Sequence, residues 1–163
     1  MLKKKKSKKQ EERIAKQIGG KTVIASGALW HCKADVRNDK YLVEAKYTDT
    51  NYYTLNVRTW EKITQEAIKD GLRIPVMCID IKKKSYAVLK VDDFIFLNKG
   101  DALKGMLHKK AKSVRLSHDT PFGYHEVHFA KPDIYGEEIK LSIIPWDYFL
   151  DIQNNIEVIK EWE

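Results

Sequence analysis

An amphipathic segment between two strand-like segments constrains the fold of this chain more than any other feature. Residues 57–70 carry one apolar helical stripe, made of Trp60, Ile63, Ala67 and Ile68. The preceding residues 41–47 have the composition of a strand, and residues 76–81 form a short apolar run typical of a buried strand. Residues 86–91 follow a polar turn as its hairpin partner. This order predicts an α/β fold with a mixed central β-sheet flanked by helices.

The chain divides into three parts by composition. Residues 1–9 are rich in lysine and are predicted to be a disordered basic arm. A core is predicted over residues 10–100; it begins with a helix over residues 10–18, which Gly19 and Gly20 end. Residues 101–163 are predicted to form a C-terminal extension packed on the same domain.

Several shorter elements are also predicted. Two strands, residues 34–37 and 41–47, are joined by a turn, and a polar loop follows over residues 48–54. In the C-terminal part we expect a helix over residues 101–112. A hairpin is expected between residues 124–130 and 138–144, and short pieces follow at residues 146–152 and 156–162.

The excess positive charge lies entirely near the N-terminus. The chain has 30 Lys and Arg against 23 Asp and Glu, a net charge of +7. Residues 1–22 hold nine basic residues and two acids, so the remaining chain is balanced. A basic segment of this kind suits a polyanion such as nucleic acid, because lysines near phosphates release condensed counterions. A solvated tail without a partner has the same composition.

Composition also excludes some classes of protein. No apolar run approaches the length of a membrane span, so we expect no membrane partner. The N-terminus has lysines where a signal peptide needs an apolar segment. Only Cys32 and Cys78 are present, which is too few for a disulfide scaffold, and a cytoplasmic location is expected.

Four charged residues form the set that is best suited to catalysis. Asp35 precedes Glu44 by nine residues across a tight turn, so two antiparallel strands can bring these acids together. Lys46 shares a strand face with Glu44, and Glu11 points toward the core side of the first helix. Such carboxylates, with the Ala45 carbonyl, can bind a hard cation such as Mg²⁺. The set predicts metal-assisted phosphodiester hydrolysis, with a structural salt bridge as the alternative.

The context of the Glu44-Ala45-Lys46 triplet distinguishes it from two chance matches. An acid, any residue and then Lys also occurs at Asp80 and at Glu138. Only the triplet at Glu44 follows an acid on a turn-linked strand, a Ser-Gly pair and an inward-facing helix acid. We therefore place the candidate site there.

The chain resembles the Holliday junction resolvases of the PD-(D/E)XK nuclease superfamily, of the archaeal type and its phage-encoded relatives. The matching pieces run from Glu11 to about Val91. They are Glu11 to Ala15, then Ser26-Gly27-Ala28, then Lys33-Ala34-Asp35-Val36, then Val43-Glu44-Ala45-Lys46, then a helix with Gln65 and Ala67. The resemblance implies a restriction-endonuclease-like core.

The resemblance assigns roles to individual positions. By position, Asp35 and Glu44 resemble the metal ligands and Lys46 resembles the catalytic lysine. Glu11 resembles the acid of the N-terminal helix, and Ser26 resembles a serine that acts at the scissile phosphate. The family pattern has Pro before the aspartate, and this chain has Ala34 there. Glu12 lies beside Glu11, although the helical stripe and the family spacing both favour Glu11.

The resemblance also implies a cofactor, a substrate and an assembly. It implies Mg²⁺, with Mn²⁺ expected to substitute, and a two-fold homodimer that nicks both strands of a four-way DNA junction. Recognition would rely on backbone and shape. The expected DNA contacts are Lys3, Lys4, Lys5, Lys6, Lys33 and Gln65. A viral or prophage origin is also implied.

Two other interpretations of the sequence remain open. One is a related nuclease that acts on flaps, ends or duplex sites. The other is a non-catalytic DNA-binding module in which Lys46 and the acids form a structural cluster. Trp30, Tyr52 and Tyr53 lie in polar loops near the proposed site and are expected either to stack on bases or to form dimer contacts.

Overall fold

The computed structural model describes residues 2–23, 35–102, 107–117, 125–130, 132–133 and 135–155, with backbone alone for residues 2–4 and 107–111. Its helices are α1 (Leu2–Ile18), α2 (Val57–Lys69), α3 (Val91–Leu97) and α4 (Trp146–Ile152). Its strands are β1 (Lys21–Thr22), β2 (Val36–Arg37), β3 (Tyr41–Thr48), β4 (Tyr52–Asn56), β5 (Ile74–Ile81), β6 (Lys84–Lys90), β7 (Leu107–Ala111), β8 (Ser113–Ser117), β9 (His125–Phe129) and β10 (Lys140–Pro145).

Among the described residues, eight strands form one mixed sheet and two form a separate ribbon. The order in the sheet is β1-β2-β3-β5-β6-β10-β9-β7. β3 and β5 are parallel because α2 carries the chain back between them, and β7 and β9 are also parallel. β4 and β8 pair antiparallel, and we call this pair the β4–β8 ribbon. The predicted α/β class with a mixed, helix-flanked sheet is confirmed.

The two faces of the sheet bury different helices. One face packs against α1, α3 and α4, through side chains that include Ile14, Phe94 and Trp146. The other face packs against α2 and the β4–β8 ribbon, through side chains that include Trp60, Ile63 and Leu116. Because side chains alternate along a strand, Val43 joins the first core while Leu42 packs with Ala67 of α2. Glu44 and Lys46 therefore lie on the α2 side of β3.

The central helix begins and ends close to the predicted positions. The side chain of Asn56 caps α2 by accepting hydrogen bonds from the Thr59 backbone N–H and hydroxyl, both at 3.0 Å. Gly71 follows the helix with a φ of +83°, a conformation that favours glycine. Ile68 was predicted on the buried stripe, and this was wrong. Its side chain is exposed because it lies at the margin of the stripe that covers the sheet.

Replacing Asn56 with Ala is expected to lower the free energy of unfolding by about 1 kcal/mol. The Ala side chain leaves the first turn of α2 without an acceptor for the Thr59 N–H. Chemical denaturation of both proteins measures the difference. An unchanged denaturation midpoint would show that water replaces the cap at no cost.

The N-terminal arm is helical, which corrects the prediction of disorder over residues 1–9. Residues 2–9 form the first turns of α1, continuous with the predicted helix over residues 10–18. Lysine has a good helix propensity, and the buried Ile14 and Ile18 anchor the helix on the sheet. Lys6 also contacts Asp49 after β3, with 2.9 Å between Nζ and Oδ1.

Two further predictions of local structure were wrong, and both concern strands with distant partners. Residues 101–112 were predicted as a helix, but residues 107–111 form β7, which pairs with β9. Residues 48–54 were predicted as a loop, but β4 begins at Tyr52 and pairs with β8. Tertiary pairing overrides local propensity in such short segments. The predicted piece at residues 156–162 lies outside the described residues.

The residues after position 100 continue the main sheet. The predicted hairpin partners are confirmed as β9 and β10, which pair antiparallel. β10 then pairs with β6, so the C-terminal strands extend the sheet that carries β3. Within the described ranges, the structure has no helix with both the length and the apolar character needed to cross a membrane.

Candidate active site

The candidate site lies beside the start of β2, where β3 continues past its described pairing with β2. Among the described residues, β2 pairs with Leu42 and Val43 of β3 on one side and with β1 on the other, so β3 extends beyond β2. Asp35 stands just before β2, and its Oδ2 accepts a hydrogen bond from the Ala45 N–H at 2.7 Å. A backbone hydrogen bond from the Asp35 N–H to the Val43 carbonyl, at 3.1 Å, fixes the same residue. The Ala45 N–H, which lies beyond the described pairing with β2, therefore holds the Asp35 carboxylate next to Glu44.

Glu44 and Lys46 project from the same face of β3 and contact each other. The Lys46 Nζ lies 3.4 Å from the Glu44 Oε1, and the Glu44 side chain is largely buried. Burial and the nearby Asp35 raise the pKa of Glu44 to about 7, against the opposing effect of Lys46. Burial lowers the pKa of Lys46, but the charges of Glu44, Tyr53 and Asp35 and the hydrogen bond to Glu44 together outweigh this effect and leave the pKa raised. Lys46 is therefore a cation at neutral pH.

Glu11 reaches the cluster from α1. Its pKa is raised to about 7 by burial, by the charge of Asp35 and by a hydrogen bond to Asp35. Burial also raises the pKa of Asp35, partly offset by the hydrogen bonds from Ala45 and Glu11. Glu12, the alternative helix acid, is exposed. The predicted inward direction of Glu11 is confirmed, and the three acids form one cluster across α1 and β3.

α2 adds two charged residues that sequence reasoning did not single out. Lys62 and Glu66 lie four residues apart and so share one face of the helix. Lys62 lowers the pKa of Asp35, whereas the buried Glu66 raises that of Glu44. The amphipathic pattern of α2 is visible in the sequence. That pattern does not show which turn of α2 lies over β3, so the sequence could not place Lys62 and Glu66 at the site.

Tyr53 of β4 also faces the cluster. Burial raises the pKa of its phenol, which lies close enough to Lys46 and Glu44 to interact with both charges. Tyr52, the residue before it in the strand, is exposed on the opposite side of β4. The structure thus separates two aromatic residues that the sequence placed in one loop. Trp30 lies outside the described residues.

Gln10 fixes the position of α1 relative to the site. Its side chain is buried, and its Nε2 donates hydrogen bonds to the Lys46 carbonyl at 2.8 Å and the Cys78 carbonyl at 3.4 Å. Since Glu11 follows Gln10, the same contact aligns the helix acid with β3. The sequence offered one signal for this role, a glutamine beside the inward-facing acid.

The donors at this site suit a hard divalent cation. All are oxygens, from Glu11, Asp35, Glu44 and the Ala45 carbonyl, and oxygen is the ligand that Mg²⁺ prefers. In the part of the chain that the structure describes, no three such side chains are grouped tightly enough to hold a metal as they stand. Instead Glu11 bonds to Asp35, and Glu44 contacts Lys46. Burial raises the pKa of all three acids, and the charge of Asp35 adds to the rise for Glu11 and Glu44. A bound cation would favour the charged form of each carboxylate, so the donor set fits Mg²⁺ or Mn²⁺.

The other predicted site residues are not all gathered here. Ser26 and Lys33 lie outside the described residues, so their roles stay predictions. Lys3 and Lys4 lie in the first turns of α1, where Lys5 and Lys6 are exposed. Gln65 is exposed on α2, where it lines a cavity of about 380 Å³ with Asp133 and Glu137.

Comparison of the chain with known proteins finds no matching family model, no matching curated protein and no matching solved structure. The chemistry of the cluster itself is therefore the basis for assigning a function.

Proposed function

We propose that the chain is a Mg²⁺-dependent, structure-selective DNA endonuclease that resolves four-way junctions by paired phosphodiester hydrolysis. The observation that carries the proposal is the convergence of Glu11, Asp35, Glu44 and Lys46 beside the start of β2. These residues come from α1, from the residue before β2 and from β3. Placing three acids beside one lysine costs folding free energy, because buried charges lose their hydration. A structural ion pair needs only one acid for each cation.

The acids would hold the metal, and the lysine would act on the phosphate. Glu11, Asp35, Glu44 and the Ala45 carbonyl are the proposed ligands. When bound, Mg²⁺ supplies a water of lowered pKa and polarises a phosphoryl oxygen. Lys46 stays charged at neutral pH, so its Nζ can orient the attacking water or neutralise charge that develops on the phosphorus. Glu44 orients Lys46 through their contact at 3.4 Å.

The exposed lysines of α1 support the proposal that DNA binds near this site. Lys5, Lys8 and Lys9 are exposed on the same helix that presents Glu11. A rigid helix holds these cations closer to the cluster than a disordered arm would. DNA that contacts them would have its backbone beside the carboxylates. A homodimer would place two such sites on the two symmetric strands of a junction.

A cleavage assay tests this proposal. A synthetic four-way junction, labelled on each strand in turn, is incubated with the protein, with and without Mg²⁺, beside a linear duplex. Symmetric paired nicks in the junction alone are expected, and the Glu44→Ala variant should not produce them. Intact branched, duplex and single-stranded DNA would reject a nuclease. Laddering from ends or cuts in the duplex would favour a related nuclease acting on flaps, ends or duplex sites.

The Lys46–Glu44 contact also fits a second function, a DNA-binding module with a structural ion pair. That function predicts DNA binding without Mg²⁺-dependent cutting. It also predicts that Glu44→Ala destabilises the fold, because the substitution leaves Lys46 unpaired. A nuclease site predicts the opposite sign in the metal-free protein, because the substitution relieves repulsion among the carboxylates.

A further inference from the structure

The β4–β8 ribbon has one buried face and one polar face. Leu55, Val114 and Leu116 point inward and pack in the core beneath the ribbon. Tyr52, Thr54, Ser113 and Arg115 point outward and are exposed. The register pairs Thr54 with Arg115 directly. The outer face thus presents hydroxyl groups, one aromatic ring and one guanidinium group.

This outer face has the charge and composition of a surface that contacts an anion. Neither strand of the ribbon contains Asp or Glu. Lys112 precedes β8 and is exposed, and Arg58 is exposed in the first turn of α2, directly after β4. Because Asn56 pairs with Ser113, these two cations flank the same end of the ribbon. An acidic partner would meet no negative charge on the ribbon's own strands.

Arg115 is held in place by an aromatic side chain. Its guanidinium carbon lies 4.0 Å from the centre of the Tyr52 ring. Tyr52 pairs with Ser117, so Arg115 is its diagonal neighbour, which is within reach for long and aromatic side chains. Stacking engages the face of the guanidinium group, and no described residue bonds its edge, which can donate to phosphate oxygens in a bidentate manner. Less conformational entropy is then lost when it binds.

The ribbon adjoins the carboxylate cluster. Tyr53, between Tyr52 and Thr54, faces inward and interacts with Lys46 and Glu44. Strand β4 therefore carries residues that face the cluster on one side and residues that face solvent on the other. DNA on the outer face would thus be separated from the proposed site of cleavage by the thickness of the ribbon.

We propose that the outer face of the β4–β8 ribbon contacts DNA, with Arg115 stacked on Tyr52 as its principal phosphate-binding group. This inference rests on the proposed function, since it assigns the ribbon to the DNA arm that lies next to the cluster. A two-stranded ribbon has the width to enter the major groove, and its hydroxyl groups can bind the flanking backbone. A protein partner would need an apolar centre on this face, and Tyr52 is its only large apolar side chain among the described residues of the two strands.

The test is DNA binding by the full chain in EDTA, where metal-dependent cutting is absent. A fluorescently labelled four-way junction is titrated with wild-type protein and with Arg115→Gln at several salt concentrations. The variant is expected to bind about tenfold more weakly, with a salt slope smaller by about one, because one phosphate contact is lost. Arg115→Lys should keep the salt slope and lose part of the affinity. Lysine keeps the positive charge but lacks the planar guanidinium group that stacks on Tyr52 and donates two hydrogen bonds.

Lys69→Gln is the matched control for charge. Lys69 is exposed at the far end of α2, so the same loss of one positive charge should leave the affinity near that of the wild type. Thermal unfolding of each variant checks the fold, and Arg115→Lys serves as the test if Arg115→Gln does not fold. Equal affinities and salt slopes for Arg115→Gln and Lys69→Gln would overturn the proposal. A wild-type protein that binds no DNA would also overturn it.

Cleavage with Mg²⁺ separates this inference from the proposed function. If the wild type cuts the junction and Arg115→Gln binds as tightly as the wild type, the ribbon has no DNA contact although the nuclease proposal holds. If Arg115→Gln weakens binding and no protein cuts, the ribbon contact holds and the nuclease proposal fails.

Discussion

Cleavage of a four-way junction is expected to fall about a hundredfold to a thousandfold when Asp35 is replaced by Asn. The amide oxygen of Asn can still accept the hydrogen bond from the Ala45 N–H, so the edge of β3 should keep its structure. What the substitution removes is a negative charge among the proposed metal ligands. Single-turnover cleavage rates at a fixed Mg²⁺ concentration measure the loss.

Asp39→Asn is the control for that variant. Asp39 is exposed in the turn between β2 and β3, a few residues from Asp35 along the chain. The control should cleave at the wild-type rate. If Asp35→Asn also cleaves at that rate, Asp35 is not a ligand and the cluster is not the catalytic centre.

The second large effect concerns stability and pH in the metal-free protein. The pKa of Glu44 is about 7 in the folded chain, above the ordinary value of 4.5. Between these values the folded protein keeps a proton that the unfolded chain releases, so the free energy of unfolding falls as pH rises. The stabilising contribution is fully present below pH 4.5 and is lost by about pH 7. Glu44→Gln should therefore be more stable than the wild type at pH 8, by roughly 1–3 kcal/mol.

Denaturation in EDTA at pH 5 and pH 8 measures this effect. The difference between Glu44→Gln and the wild type should be larger at pH 8 than at pH 5. Glu137→Gln, at an exposed position, should show little change at either pH. A Glu44→Gln protein that is less stable at pH 8 would instead indicate that Glu44 serves as the structural partner of Lys46.

Mg²⁺ should restore part of the stability that the wild-type protein loses as pH rises. A cation that binds only the folded chain, at ten times its dissociation constant, adds about 1.4 kcal/mol to the free energy of unfolding. Glu44→Gln should gain less, because a ligand is missing. The stability and the activity of this variant are thus expected to change in opposite directions, as at other sites where like charges are held together for function.

The fold was predictable where local pattern and tertiary role agree. The stripe of α2, the apolar run of β5 and the turn between β2 and β3 each have a local signal that the final packing uses. β4 and β7 were missed because their pairing partners, β8 and β9, lie far away in sequence. The helical arm was missed because a lysine run suggests solvation, while its helix continues from residues anchored on the sheet.

The cluster was predictable in its main residues and not in its surroundings. Strand alternation placed Glu44 and Lys46 on one face, and the helical stripe placed Glu11 inward, because both periods depend on local geometry alone. Glu66, Lys62 and Tyr53 could not be assigned in this way. Their contribution depends on how α2 and β4 lie across β3, which is set by the packing of the whole core.

We propose that α1 and β3 together form a metal-dependent catalytic centre, and a comparison of Glu11→Gln with Glu12→Gln tests this proposal. The two acids are adjacent on one helix, but only Glu11 faces Asp35, while Glu12 is exposed. Both substitutions replace one carboxyl group with an amide in the same turn. In Mg²⁺-dependent cleavage of a four-way junction, Glu12→Gln should match the wild type and Glu11→Gln should be at least about tenfold slower. Equal rates for the two variants would contradict the proposal, and so would a wild-type protein that cuts nothing.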